Sequence, residues 1–361
     1  MTTLVLGCEL ETEQLPARAT DRDAWLAQRS QGIGGSEVLA VLGQDDYKSR
    51  LELFVEKRDG ESLQDVGEAA DWGNVFERPV IETWAKRTGR KPANAGGLAF
   101  RSKSFPHMLC TVDDLECFSL SSQSALGLIE VKTFDETVQR DWPTNDSDPV
   151  PVKVTAQVQH SLEVLQLSTA AVVWLPLKRR VLGSRDMPRD SDLGEALGLA
   201  VERFWARVAE NRPPIPDGSE SATRALVAMY PEDDQAAVEL PESFQEVAKR
   251  WAELDAKMKA LDVERSAIKN MFRFILGRKR FALAPDAGYY VNSWGVAGVE
   301  AEPCEECGHD PSRKAYRQAR IFPYPSKGPT LQRLQDAPAE PLPVNGEVEK
   351  LVEAIKKARV E

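Results

Sequence analysis

A mixed α/β fold with a long helical extension at its C-terminal end is predicted from three observations. Residues 1–215 alternate helix-period and strand-period apolar patterns. A Pro-rich stretch, Pro213-Pro214-Ile215-Pro216-Asp217-Gly218, closes that texture. Beyond it, apolar residues recur in alternating steps of four and three. The 361 residues suit two domains, or one with a large appendage, at roughly 100–200 residues per domain. With 42% hydrophobic and 29% charged residues, wholesale disorder and collagen-like structure are excluded. No apolar run approaches the roughly 20 residues of a spanning helix. Met1 to Gln14 carries Glu9, Glu11 and Glu13 instead of a cationic leader, so no secretory signal is expected. Five cysteines, an odd number, point to reduced thiols in a cytoplasm-like compartment. The net charge of −11 argues against indiscriminate coating of nucleic acid, yet allows an enzyme with a local basic channel.

Taken in chain order, the first informative element is Arg29-Ser30-Gln31-Gly32-Ile33-Gly34-Gly35-Ser36-Glu37-Val38, followed by Leu39, Val41 and Leu42. Two glycines and a serine opening an amphipathic helix can offer backbone N–H groups and a hydroxyl to a phosphate, or Ser36 can be a plain helix cap. Next, Gly73-Asn74-Val75-Phe76-Glu77 enters a helix whose inward face is Val80, Ile81 and Trp84 and which Gly89 ends. Glu77 reads as a site carboxylate or as a solvated helix charge. Then Thr111-Val112-Asp113-Asp114 precedes a turn at Ser121–Ser124 and the strand Gly127-Leu128-Ile129-Glu130-Val131-Lys132-Thr133. Glu130 and Lys132 are two apart and share a strand face, and a hairpin brings Asp113 alongside Glu130. Two carboxylates and a lysine at one strand end can hold a hard divalent cation and orient a water, or make an edge-strand salt bridge. Finally, Gln157-Val158-Gln159-His160 lies on a helix with Val154, Val158, Leu162 and Leu165, before an apolar strand at Ala171–Leu177.

In the C-terminal third, Val247, Trp251, Leu254, Met258, Leu261, Ile268, Phe272 and Ile275 follow the four-three step, with Arg265 as the break. This is a long amphipathic helix, either a coiled-coil arm or a helix laid on another element. Residues 249–280 hold ten basic residues against four acidic ones, which reads as a solvated face or as a basic arm over a polyanion. Pro325 to Gly346 reads as linker, and Leu351 to Val360 as a short terminal helix. Cys304-Glu305-Glu306-Cys307-Gly308-His309 has only half the ligands of a structural zinc site. None of His107, His160 and His309 is placed for a Ser-His-Asp hydrolase.

Taken together, the ordered motifs R-x(6)-S-E, G-x(3)-E, D…E-V-K and Q-x-Q-H resemble the YqaJ and lambda-exonuclease family of phage-type recombination nucleases, within the PD-(D/E)XK superfamily. The resemblance covers about residues 25–215. It implies a PD-(D/E)XK core: a central mixed β-sheet flanked by helices. It divides the chain into a nuclease domain at 1–215, a helical arm and accessory region at 216–324, and a Pro-rich linker with terminal helix at 325–361. The implied activity is Mg²⁺-dependent 5′-to-3′ digestion of duplex DNA from its ends, with Mn²⁺ able to substitute. Asp113, Glu130, the Val131 carbonyl and Glu77 match the metal ligands, Lys132 the residue that positions the attacking water, and Gln157 the glutamine of the following helix. Arg29, Ser36 and Thr111, with Arg140, match the pocket for a terminal 5′ phosphate. The family pattern Pro-Asp-Gly is Val112-Asp113-Asp114 here, which leaves Asp114 as a competitor to Asp113 or as a turn residue. The implied partners are DNA ends, a single-strand annealing protein and further copies of the chain, with a trimeric ring as the family's form. The implied setting is the cytoplasm of a phage-bearing bacterial host. A restriction- or repair-type endonuclease and an inert DNA-end scaffold are the alternatives.

Overall fold

The computed structural model describes residues 3–5, 8–10, 12–17, 22–64, 67–117, 126–135, 142–143, 148–178, 181–232, 237–284, 289–296 and 316–323, with Thr330, Gln332, Lys350 and Glu353. Arg140, the Ser121–Ser124 turn, the Cys304–His309 motif and most of the Pro-rich tail lie outside these residues. Two compact units divide the chain, Met1–Ala236 and Ala237–Glu361.

The first unit opens with β1 (Thr3–Val5), β2 (Cys8–Leu10), β3 (Thr12–Leu15), α1 (Arg22–Arg29), β4 (Ile33–Gly34), α2 (Val38–Leu42), α3 (Arg50–Asp59) and α4 (Gly67–Thr88). It continues with β5 (Ala99–Ser102), β6 (Met108–Thr111), β7 (Asp114–Cys117), β8 (Leu126–Phe134), α5 (Val152–Leu165), β9 (Thr169–Pro176), β10 (Gly183–Pro188), α6 (Ser191–Ala209) and α7 (Glu220–Met229). The expected mixed sheet flanked by helices is the sheet β10-β9-β8-β7. In it β7 pairs antiparallel with β8, β8 runs parallel to β9, and β10 returns antiparallel. The parallel step needs a crossover, which α5 supplies. Alternation along β8 and β9 then divides the core. Ile129, Val131, Ala171 and Val173 face one way and bury Val80, Ile81 and Trp84 of α4. Leu128, Ala170 and Val172 face the other way, in one cluster with Val154, Val158 and Leu162 of α5. A second sheet, β3-β5-β6-β4, continues through Val112-Asp113 into β7.

Two boundaries differ from the sequence reading. The helix expected from Gly73 begins at Gly67, because Glu68-Ala69-Ala70 are strong helix formers and an interior glycine costs only about 1 kcal/mol. It ends where expected, with Gly89 at φ +76°. The Pro213–Gly218 stretch joins α6 to α7 inside the first unit, which runs past 215 to Ala236. The reason is packing: α7 buries Ala222 and Ala225, while Ser221 and Arg224 both reach the buried Glu52 carboxylate of α3.

The second unit holds α8 (Phe244–Leu276), β11 (Phe281–Ala284), β12 (Tyr289–Val296) and β13 (Tyr316–Pro323). The three strands form an antiparallel sheet. The expected long helix is one continuous element of 33 residues. Its C-terminal end packs on the sheet, where Leu276 and Val291 are buried and Phe272 leans on them. Among the described residues, no helix is long and apolar enough to cross a membrane.

Candidate active site

Four pieces of the first unit converge: the β6–β7 link, the C-terminal half of β8, the inward side of α5 and the middle of α4. The Asp114↔Ile129 register sets Asp113 opposite Glu130, and Asp113 Oδ2 accepts the Val131 N–H at 2.7 Å. Glu130, 2% exposed, lies on the α5 side of β8 with Lys132. Its Oε1 accepts from Lys132 Nζ at 2.5 Å and from Gln157 Nε2 at 2.6 Å. Glu77 projects from α4 and, with Asn74 and Asp113, lines two adjoining cavities of about 240 and 180 Å³. The smaller cavity also touches Val131 and Lys132; the larger one also touches Arg29, Ser36, Thr111 and Gln157.

Electrostatics ties the acidic group together. Burial, then the charges of Glu130 and Glu77, push the Asp113 carboxyl well above the usual carboxylate range, against the pull of Lys132 and the Val131 N–H. Burial disfavours the Lys132 ammonium, but Glu130 and Asp113 outweigh it and hold the group protonated beyond its ordinary range. Like charges so converged call for a cation. The donors on offer are oxygens alone, from Asp113, Glu77, Glu130 and the Val131 carbonyl, which suits a hard divalent ion. Among the described residues, no three His, Cys, Asp or Glu side chains close into a finished cage. Mg²⁺ needs none, because it keeps several waters and takes one or two carboxylates.

At the far end of the larger cavity, the Arg29 guanidinium lies 5.3 Å from the centroid of the Trp25 ring, and Trp25 Nε1 donates to Thr111 Oγ1 at 3.0 Å. Ser36 is exposed in a 3-10 turn, Gly35–Glu37, and makes no cap hydrogen bond; the plain-cap reading is thereby corrected. The capping is done by Glu37, whose Oε2 accepts the Gly34 N–H at 2.8 Å. Gly35 lets this turn approach α5, since a Cβ there would stand 3.0 Å from Gln157 Cγ and 3.1 Å from its carbonyl oxygen.

Asp114 turns away from the cavities. It is 1% exposed, accepts the Ala95 N–H at 2.7 Å and meets Arg78 at 3.3 Å, so it is a buried strand-opening acid and not a turn residue. The rest of the Gln-x-Gln-His motif serves the fold. Gln159 bonds Pro188 and Asp190, and His160 bonds the Leu109 carbonyl at 2.9 Å. Burial pulls the His160 ring down to about 4, so it stays neutral at neutral pH.

Over residues 24–170, the span that carries all four motifs, the chain matches the YqaJ-like viral recombinase domain. This segment is similar to that family. Across a longer stretch, the chain is 25% identical over 259 residues to the uncharacterized protein YqaJ of Bacillus subtilis (strain 168), covering 70% of this chain and 77% of that one. The alkaline exonuclease LHK-Exo of Laribacter hongkongensis aligns at 17% identity and TM-score 0.42, covering 58% of this chain and 100% of that one. Its complex with dAMP aligns at the same identity and TM-score over 53% of this chain and 94% of that one.

The matched segment also contains a pair that sequence reasoning missed. Lys57 of α3 is buried and donates to both Glu37 oxygens at 3.0 Å and to the Arg29 carbonyl at 3.1 Å. The pair thus ties the end of α1 to the glycine turn. Burial works against the Glu37 charge, but Lys57 and Arg29 win and hold its carboxyl below the usual range. A lysine two residues past the apolar run Leu53-Phe54-Val55 was the available signal. Trp25, Asn74 and Ser161 line the larger cavity with no signal beyond their neighbours.

Proposed function

We propose that the first unit is a divalent-metal-dependent deoxyribonuclease that digests duplex DNA from its 5′ ends and leaves 3′ single strands for phage-type recombination. One observation carries the reading: Lys132 and Gln157 both bond Glu130, and Asp113 is latched to β8 on the wall of a cavity that also holds Arg29, Ser36 and Thr111. A phosphodiester in this cavity would lie with one side against oxygen donors and the other toward cationic and hydroxyl donors. Asp113, Glu130, Glu77 and the Val131 carbonyl would hold Mg²⁺, or Mn²⁺ in its place. The bound ion supplies charge neutralisation at the phosphoryl group and acidity to water.

The protein's own groups do the rest. Lys132, with its ammonium fixed by Glu130, orients the attacking water and meets the developing negative charge. Gln157 donates to the same Glu130 oxygen as Lys132, so the carboxylate keeps one rotamer. Arg29, Ser36 and Thr111 receive the terminal 5′ phosphate. A monoester dianion gains more from a guanidinium and hydroxyls than an internal diester does. Residues 237–361 act as an accessory region, a single-strand annealing protein takes the exposed 3′ strand, the chain works as a homo-oligomer, and the setting is the host cytoplasm.

The test is linear duplex labelled at one defined end, with 5′ phosphate or 5′ hydroxyl, beside a covalently closed circle, with and without Mg²⁺. Release of 5′ nucleotides from the linear substrate alone, faster from phosphorylated ends, is the expected result. Cutting of the circle would assign an endonuclease, and binding without Mg²⁺-dependent cleavage would assign an inert scaffold.

A further inference from the structure

We propose that the face of the β11-β12-β13 sheet turned away from α8 is a binding site for single-stranded DNA. The inference gives the second unit a ligand of its own and does not rest on the nuclease reading.

Strand register sorts the aromatic residues of this unit. Ala282 and Val291 are paired, and they share the face that packs on Leu276 and Phe272 of α8. Phe281, Tyr290, Trp294, Tyr316 and Phe322 all take positions of the opposite face. The Tyr290 ring has a neighbour on each side. The Phe322 centroid stands 5.4 Å away with the rings 25° apart, and the Phe281 centroid stands 6.4 Å away at 55°. Tyr290 is buried, while Phe281 and Phe322 at the ends of this row are half-buried. Asn292, opposite Phe281 in register, has a buried side-chain oxygen that accepts no hydrogen bond from the described residues. The second face of an antiparallel sheet that meets only water alternates to polar residues, and this one carries rings instead.

Charge selects the occupant. Residues 265–284, 289–296 and 316–323 contain eight basic residues and no acidic one, in a chain of net charge −11. Arg278, Lys279 and Arg280, all exposed, lead into β11, and the Arg280 guanidinium stands 5.4 Å from the Phe281 ring centroid. Arg320 takes the register position opposite Asn292. Such a surface attracts a polyanion. The rings then favour an unpaired strand over a duplex. In a duplex the base faces are stacked on one another, whereas a single strand offers them to aromatic side chains and its phosphates to cations. A base amino group can also donate to Asn292 Oδ1. Every base has a π-face, so the site tolerates any sequence. The strand exposed by digestion is such a ligand, and a salt-sensitive hold on it lets an annealing protein take it over.

Fluorescence anisotropy of the full chain in EDTA, which prevents cleavage, tests the site. The probes are a labelled mixed-sequence single strand, an abasic strand of the same length, and a duplex closed by hairpins at both ends. Losing a stacked base lowers affinity on the order of tenfold, so the wild type should bind the abasic strand about tenfold more weakly. Phe322→Leu, which keeps an apolar side chain in the row, should weaken the mixed-sequence strand by about the same factor and leave the closed duplex unchanged. Arg278→Gln with Lys279→Gln, at exposed positions, should lower the slope of log affinity against log salt by roughly 1.4, at about 0.7 per phosphate contact. Circular dichroism should match the wild type in both variants. Single-turnover digestion of blunt duplex in Mg²⁺ should also match, which separates this site from the cavity of Arg29, Ser36 and Thr111. An abasic strand bound as tightly as the mixed sequence would overturn the proposal, as would folded variants with wild-type affinity and salt slope. A closed duplex bound more tightly than the single strand would overturn it too, and would give the face to duplex DNA. Binding is read without cleavage, so a chain that cuts nothing would sink the nuclease reading and leave this one standing.

Discussion

Replacing Lys132 by methionine removes the ammonium and keeps most of the side-chain volume. The charge lost stands 2.5 Å from Glu130 Oε1, on a side chain 28% exposed, beside an acid 3% exposed. Two unit charges about 4 Å apart interact by roughly 4 kcal/mol at the effective dielectric of a partly buried site. Only the share that grows between bound substrate and transition state appears in the rate. A preorganised donor of this kind contributes about 10²–10³ in rate, which corresponds to roughly 2.7–4 kcal/mol. The folded state also loses a charged hydrogen bond, worth about 1.5–3 kcal/mol, although Gln157 still donates to Glu130. The assay is single-turnover cleavage of end-labelled duplex by excess enzyme in Mg²⁺, at a temperature where both proteins are folded, with duplex-end affinity measured in Ca²⁺. The variant should bind within about threefold of wild type and cut on the order of 10²–10³ more slowly. Lys153→Met, which breaks a half-exposed lysine's pair with the buried Asp45 carboxylate at 2.6 Å, is the matched control and should cut normally. A Lys132→Met rate within threefold of wild type refutes the assignment of β8 to the chemistry.

Asp113→Asn should abolish cleavage, whereas Asp114→Asn should keep it and lower stability by about 1–3 kcal/mol, read by urea titration; the reverse pattern would place the wrong neighbour in the site. Arg29→Ala should shrink the preference for 5′-phosphorylated over 5′-hydroxyl ends, and added salt should shrink the wild-type preference in the same direction, because the guanidinium is 41% exposed. Glu37→Gln leaves Lys57 without its carboxylate and should lower the melting temperature as well as the end preference; an altered melt with an intact preference would make the pair purely structural. Chelation by EDTA should stop cleavage with the fold intact by circular dichroism, and Mg²⁺ or Mn²⁺ should restore it.

Much of this arrangement was legible in the sequence because it is local. The two-residue period of β8 puts Glu130 and Lys132 on one face whatever surrounds them, and the apolar spacing of α5 makes Val154, Val158 and Leu162 its inward side. The four-three step makes α8 a long helix whatever it packs against. The ends of α4 were less legible, since helix propensity carries past an interior glycine that looked like an entrance.

What the chain by itself determined, then, was each element and the face on which each chemical group stands, since periodicity acts between residues a few positions apart. Only the tertiary structure decided which faces meet. Asp113 was set against Val131 and Asp114 against Ala95 and Arg78 by a one-residue register that the Asp-Asp pair leaves open. Gln157, and neither Gln159 nor His160, was turned to Glu130 by the rotation of α5 on the sheet. Lys57 was brought to Glu37 across 20 residues of chain by the packing of α3 behind the glycine turn. Those choices follow from burial and hydrogen-bond satisfaction between distant segments, which no local pattern encodes.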